Sequence, residues 1–224
     1  MANANNNQNA SQAQNCPESY TLSVSSVDEV ASIVQTPQLT PGAQTGAFEL
    51  LQPVFFVGFM VAGKTSVSRF MSRSLCLPTV DLDAYIESQN KCAINEIFAK
   101  DGEEVFRDME TAVLYKFARK QPMLISCGGG VVLREENRKI MKDNGFVVYL
   151  QVTADEAAKR IGDVSTRPNF KNVGVARQTI QKRLPMYEAA ASCSVNTVGK
   201  SISAVASEVK DILLSEGVLV NKNC

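Results

Sequence analysis

The chain has no histidine among its 224 residues. That removes the usual general base near neutral pH and the commonest zinc ligand, so any base must be a carboxylate or a lysine. It has no net charge either, because 23 Lys plus Arg balance 23 Asp plus Glu. Bulk attraction to nucleic acid or to an anionic membrane is therefore not expected, and neither is expected as a partner. No apolar run approaches the roughly 20 residues of a membrane-spanning helix. The six cysteines (Cys16, Cys76, Cys92, Cys127, Cys193 and Cys224) form no C-x-x-C pair and no metal-ligand spacing. They read as reduced cytosolic thiols, so a cytoplasmic protein is expected, and Cys127 reads as a small buried hydrophobe. Neither Lys nor Arg occurs before Lys64, which excludes an arginine-bearing transit peptide and a secretory signal with a basic start.

Those first residues differ from the rest in kind. Asn, Gln, Ala and Ser dominate 1–50, which reads as a low-complexity extension expected to be disordered. A short helix is predicted over 26–34, followed by a linker marked by Pro37 and Pro41-Gly42. A single domain over 51–216 and a tail over 217–224 complete the expected organisation, since the length suits one sizeable core.

The domain opens on its most informative stretch, Val-Phe-Phe-Val-Gly-Phe-Met-Val-Ala-Gly-Lys-Thr over 54–65. Four apolar residues read as a buried parallel strand, and Gly58 with Gly63-Lys64-Thr65 fits the spacing G-x-x-x-x-G-K-S/T. Such a loop leaves a strand, turns tightly and aims backbone N–H groups at phosphate oxygens, at the N-terminus of a helix. Gly58, Val61, Ala62, Gly63, Lys64, Thr65 and Ser66 are thus the ATP-binding candidates of the loop, with Lys64 on the β- and γ-phosphates and Thr65 on Mg²⁺.

Further along, 77–82 reads as a strand ending in Asp81, with Asp83 two residues on. Ligands bind at the carboxyl ends of strands in open α/β sheets, so both carboxylates are candidates. Asp83 also suits an N-cap for a helix over 84–90. Asp81 is the acid best placed to help hold Mg²⁺, because the later strand over 123–126 ends in Cys127-Gly128 with no acid. Two helices are predicted over 94–100 and 103–118, and on the second Arg107 has Glu103 four residues before it and Glu110 three after. Those neighbours make either a surface ion-pair set or a rigid mount for a guanidinium fork. Gly128-Gly129-Gly130 is either a turn or a place where another molecule approaches the backbone closely. The βα alternation continues through a helix over 135–143, a strand over 146–152, and a helix over 154–161 capped by Thr153. A polar loop over 162–174 follows, with Arg167 as a lid residue, then a helix over 175–191 interrupted near Pro185. A strand over 194–197 and a helix over 202–214 close the domain.

Taken together, these pieces resemble the shikimate kinase family over 53–214. The matching motifs are the phosphate loop (58–65), Asp-Leu-Asp (81–83), Phe-Arg-Asp-Met-Glu (106–110), the run from Gly128 through Arg138, Arg-Pro (167–168) and Arg-Leu-Pro-Met-Tyr (183–187). The resemblance implies an α/β P-loop kinase with a five-stranded parallel sheet flanked by helices, plus a lid and a substrate-binding helical region. It implies ATP-dependent phosphorylation of the 3-hydroxyl of shikimate, with Mg²⁺, by an enzyme expected to be monomeric. Arg107 and Arg183 would bind the carboxylate, Asp83 the ring hydroxyls and the nucleophile, and Gly128, Gly129 and Gly130 the ring. Lys64 and Arg167 would stabilise the transferring phosphoryl, Arg160 would lie against adenine, and Lys200 would line the nucleotide pocket. A kinase of another small hydroxy acid or of a nucleotide, or a weakly active regulatory P-loop protein, are the competing readings.

Three positions depart from the family pattern. Val61 stands where the loop usually has glycine, Lys91 replaces a glycine of the helical substrate region, and the lid reads Arg-Pro-Asn-Phe. The spacing rule leaves position 61 free, so φ < 0 is expected there.

Overall fold

The computed structural model describes residues 47–161 and 173–222. In chain order these form β1 (Phe48–Leu50), β2 (Val54–Val57), α1 (Lys64–Leu75), β3 (Thr79–Asp81), α2 (Leu82–Asn90), α3 (Ile94–Ala118) and β4 (Leu124–Ser126). A 3-10 turn (Val131–Leu133), α4 (Glu135–Asn144), β5 (Phe146–Gln151), α5 (Ala154–Ile161) and α6 (Val173–Ala190) follow. β6 (Cys193–Asn196), α7 (Ile202–Ser215) and β7 (Leu219–Asn221) complete the order. The expected helix over 26–34, the lid loop and Arg167 lie outside the described residues.

Five strands pair in parallel in the order β3-β4-β2-β5-β6. β2 is central, with Val54 opposite both Leu124 and Phe146, and all four of its residues are buried. Such a strand is covered on both faces and so carries apolar residues at every position. Alternation then divides them. Phe55, Val57, Ile125, Val147 and Tyr149 face a layer drawn from α2, α3, α4 and α6, while Val54, Phe56, Leu124, Val148 and Leu150 face α1 and α7. Phe55 and Phe56 are both wholly buried on opposite faces, and each contributes about 1.5–3 kcal/mol by burial. The chain steps to one side of β2 for β3 and β4 and to the other for β5 and β6. The crevice at the carboxyl end of β2 is therefore the switch point where ligands bind.

Several boundaries differ from the sequence reading. The strand expected over 77–82 is confined to Thr79–Asp81, because Asp81 Oδ1 accepts from Ala84 N at 3.1 Å and starts α2 at Leu82. Asp81, not Asp83, is thus the N-cap. The two helices expected over 94–100 and 103–118 are present, meeting at the non-helical Gly102 (φ 85°, ψ 173°), and are taken together as α3. α6 runs on through Pro185 without the expected interruption. Lys91 ends α2 at φ 52°, a left-handed position that favours glycine.

The packed unit is also longer than 51–216. β1 pairs antiparallel with β7, Leu50 opposite Leu219, and the Lys222 N–H donates to Ala47 O at 2.7 Å. Leu50, Val218 and Leu219 are buried in the layer that holds α1 and α7, so residues expected in the extension and the tail complete the core. Three-residue strands are too short to show a period in the sequence.

Candidate active site

The phosphate loop joins β2 to α1. Lys64 folds back on the loop, donating to Gly58 O at 2.9 Å and to Phe59 O at 3.0 Å. Thr65, the next residue, donates to Asp81 Oδ2 at 2.6 Å, and its hydroxyl lies 3.1 Å from Ser126 Oγ. Three oxygen-bearing side chains from α1, β3 and β4 thus meet at the end of the sheet. Hard oxygen donors of this kind suit Mg²⁺, which usually takes one or two carboxylates and completes its shell with water and substrate phosphates. Among the described residues no group of three or more His, Cys, Asp or Glu is placed to hold a metal ion.

Val61 corrects the expectation stated for it. Its φ is +56°, in the left-handed region, and not negative. Val61 lies in a turn closed by the Ala62 N–H donating to Phe59 O at 3.2 Å, and a β-branched side chain adopts this conformation only at a cost of about 1–2 kcal/mol. Arg160 lies beside it, donating through Nη1 to Val61 O at 3.3 Å.

The second half of the site is built on α2, α3 and the glycine run. Asp83 is half-buried as a residue, but its Oδ1 is sealed from solvent and has no hydrogen-bond partner among the described residues. Burial pushes its carboxyl up to about 7, reinforced by the charges of Asp81 and Glu110 and opposed by Lys64. Glu110 is wholly buried, with Oε1 equally unpartnered and Oε2 accepting from Arg107 Nη1 at 2.7 Å. Burial raises the Glu110 carboxyl too, against the pull of Arg107. Arg107 is further held by Glu103 through Nε at 3.2 Å and Nη2 at 3.0 Å, and its guanidinium lies 5.2 Å from the Phe106 ring centre. It is buried on α3, so the ion pairs mount the fork and are not a solvated surface set.

The glycine run is required by close approach. A Cβ on Gly128 would stand 2.5 Å from Glu110 Oε1 and 2.7 Å from Asp83 Oδ1, so both unpartnered oxygens pack directly against this glycine. A Cβ on Gly130 would stand 2.3 Å from Arg107 Nη1. Between them, Gly129 O accepts from Arg183 Nη1 at 3.1 Å and from the Tyr187 hydroxyl at 2.6 Å. Gly129 also abuts the phosphate loop, with Met60 N 3.6 Å from its would-be Cβ. The two halves therefore share a wall.

Asp83, Arg107, Arg183 and Gly128 to Gly130 are thus brought together, and Lys64, Thr65 and Asp81 adjoin them. Arg160 sits at the far side of the loop, bonded to Thr197 and Glu156. Lys200 follows Thr197 by three residues and pairs with Glu208 on α7. Two residues were missed or undervalued by sequence reasoning. Glu110 entered only as a partner of Arg107, although its i+3 spacing already places it on the same face. Ser126 is the hydroxyl at the strand end where an acid was sought, and its position just before Cys127-Gly128 was the available signal. Cys127 is buried as expected, and burial holds its thiol well above the usual range, so it is no nucleophile.

The family model described as shikimate kinase matches residues 60–214. A shikimate kinase of Dehalococcoides mccartyi is 37% identical over 162 residues, spanning 71% of this chain and 92% of the relative. One from Bacillus cereus strain G9842 is 36% identical over 166 residues, 72% of this chain and 98% of its own.

The chain belongs to the shikimate kinase family.

Solved shikimate kinases agree in fold. The Acinetobacter baumannii enzyme in complex with shikimate superposes with a TM-score of 0.71 at 30% identity, covering 74% of this chain and 94% of that one. The Aquifex aeolicus enzyme gives 0.64 at 27%, covering 74% and 98%. The chain is accordingly an ATP-using kinase, and the P-loop with its five-stranded parallel sheet is the family architecture. Among the described residues no helix is long and apolar enough to cross a membrane.

Proposed function

We propose that this chain transfers the γ-phosphoryl group of ATP to the 3-hydroxyl of shikimate. The observation that carries the reading is the pair of buried, unpartnered carboxylate oxygens of Asp83 and Glu110, both packed against Gly128 beside Arg107 and Arg183. Unsatisfied buried acceptors are costly, and hydroxyl donors on a small ring would satisfy both. The two guanidiniums suit the carboxylate of the same ring.

In this reading Arg107 and Arg183 hold the substrate carboxylate, and Gly128 to Gly130 line the ring. Asp83 Oδ1 accepts from the reacting hydroxyl and takes its proton as the oxygen attacks the γ-phosphorus. The bond to the β-bridging oxygen breaks, and ADP carries that electron pair away. Lys64 exchanges the carbonyls of Gly58 and Phe59 for the phosphates. Thr65 and Asp81 would hold Mg²⁺, which when bound would supply neutralising charge to the phosphates. Phosphoryl transfer asks chiefly for positioning and charge stabilisation, so it proceeds without histidine. Arg167 and the nucleotide contacts of Gly58, Val61, Ala62, Gly63, Ser66, Arg160 and Lys200 belong to the same reading. So do a cytosolic location, which the thiols Cys76, Cys127 and Cys193, in no disulfide, suit, and a monomeric state, which gel filtration at assay concentrations tests.

A coupled ADP-release assay with shikimate, gluconate and nucleoside monophosphates as acceptors tests the function. Turnover with shikimate alone is expected. Preferential turnover with gluconate or a nucleotide would assign the acceptor pocket to another substrate.

A further inference from the structure

The left-handed Val61 sits in a turn closed by the Ala62 N–H donating to Phe59 O at 3.2 Å, and its own carbonyl is held from outside the loop. Arg160 on α5 uses its whole fork on protein atoms. Nε donates to Glu156 Oε1 at 3.0 Å, Nη2 to Thr197 O at 2.6 Å, and Nη1 both to Thr197 Oγ1 at 3.1 Å and to Val61 O at 3.3 Å. Thr197 is itself buried and tied to the sheet, since its N–H and its hydroxyl both donate to Gln151 O, at 3.0 and 2.8 Å. A continuous path therefore runs from the end of β5 through Thr197 and Arg160 to the peptide carbonyl of the strained residue. Turning Val61 back to φ < 0 would rotate that carbonyl and the adjoining amide together, since the peptide unit is planar. A bond that fixes the carbonyl thus also fixes the direction of the Ala62 N–H, which donates to Phe59 O at 3.2 Å and closes the turn of the phosphate loop.

We infer that Arg160 is a positioning residue for the phosphate loop, holding Val61 in its left-handed conformation in addition to any contact with a base. The inference rests on the reading of this loop as the nucleotide phosphate site. A glycine at position 61 would take the conformation without strain and would not need the clamp. Dependence on Arg160 is consequently a property of this chain's valine.

Magnesium tripolyphosphate, which has phosphates and no base, separates the roles. Its affinity for the full chain is measured by calorimetry for wild type, Arg160→Gln, Thr197→Val, Val61→Gly and the two double variants with Val61→Gly. Thr197→Val keeps the guanidinium and removes one anchor, so it tests the path independently should Arg160→Gln fold poorly. Arg160→Gln is expected to weaken tripolyphosphate about tenfold and Thr197→Val several-fold, with both losses falling to under about threefold once Val61 is glycine, as coupled neighbours require. Shikimate affinity should not change. Weakened ATP binding with unchanged tripolyphosphate binding would overturn the inference and leave Arg160 to the base alone. Equal losses with valine and glycine at 61 would overturn it too, by showing that Arg160 acts without Val61. Failure of wild type to bind tripolyphosphate and ATP alike would remove the phosphate-site reading itself.

Discussion

In the acceptor pocket the charged groups are braced by protein. Arg107 is gripped by Glu103 and Glu110 and backed by Phe106, and Arg183 is tied to Gly129 O. In the phosphate loop the arrangement is the reverse. Lys64 spends its donors on the loop's own carbonyls, and Val61 sits in a conformation that its side chain resists. Yet the two regions share Gly129 as a wall. The pocket gains rigidity from buried ion pairs and keeps its unsatisfied atoms, Asp83 Oδ1 and Glu110 Oε1, aimed inward. The loop keeps its cation satisfied at rest and carries its cost in the backbone. One region is prepared for a ligand by leaving acceptors unpaired, and the other by storing strain that an external clamp contains.

The largest effect should come from the pocket. Asp83→Asn keeps the shape but removes the base, so kcat should fall by about 10² or more while ATP affinity is nearly unchanged. The same variant carries a stability signature. A carboxyl whose folded pKa is about 7, above its unfolded value, favours folding when protonated and loses that contribution as pH rises toward 7. Asp83→Asn should therefore gain on wild type in thermal unfolding at pH 8 and not at pH 4, and its rate should lose the wild-type rise through pH 7. Normal turnover in this variant would remove Asp83 from the chemistry.

Arg107→Lys is expected to act more moderately. The charge stays but the fork that meets Glu103, Glu110 and a carboxylate together is lost, so the shikimate KM should rise about tenfold, or 1.4 kcal/mol. Unchanged shikimate affinity with a large fall in Tm would mean that Arg107 serves only the packing of α3.

The loop should respond least. Val61→Gly relieves a left-handed penalty of about 1–2 kcal/mol, but glycine costs about 0.5–1 kcal/mol in chain entropy. A net gain in stability of about 0 to 1.5 kcal/mol and a change in ATP KM below about tenfold (1.4 kcal/mol) are expected. A much larger gain in ATP affinity or kcat would show that the clamp on the native loop fails and would favour a weakly active protein.

The parts of the candidate site were legible in the sequence wherever a local spacing carries them. The phosphate loop, Asp83, Arg107 and the glycine run could each be read from residues next to one another. What it hid were properties set by three-dimensional paths. The φ of Val61 follows from the course of the loop between two glycines, which a spacing rule does not record. Asp81 and Asp83 are equivalent candidates in sequence, and only the start of α2 decides that one caps while the other stays unpaired. Ser126 and Thr65 are 61 residues apart and meet because β4 lies beside β2. β1 and β7, three residues each, became visible only as a pair.

The most direct measurement is calorimetric titration of shikimate into the nucleotide-free protein near pH 7, repeated in buffers of different ionisation enthalpy. If the pocket is prepared and Asp83 receives a ring hydroxyl, shikimate binds without ATP. Because hydroxyl donors favour the ionised carboxylate, the Asp83 contribution should release about half a proton at a pH equal to its pKa, and this release should vanish in Asp83→Asn. Binding with no proton release, or release that persists in Asp83→Asn, would contradict the placement of Asp83 against the substrate.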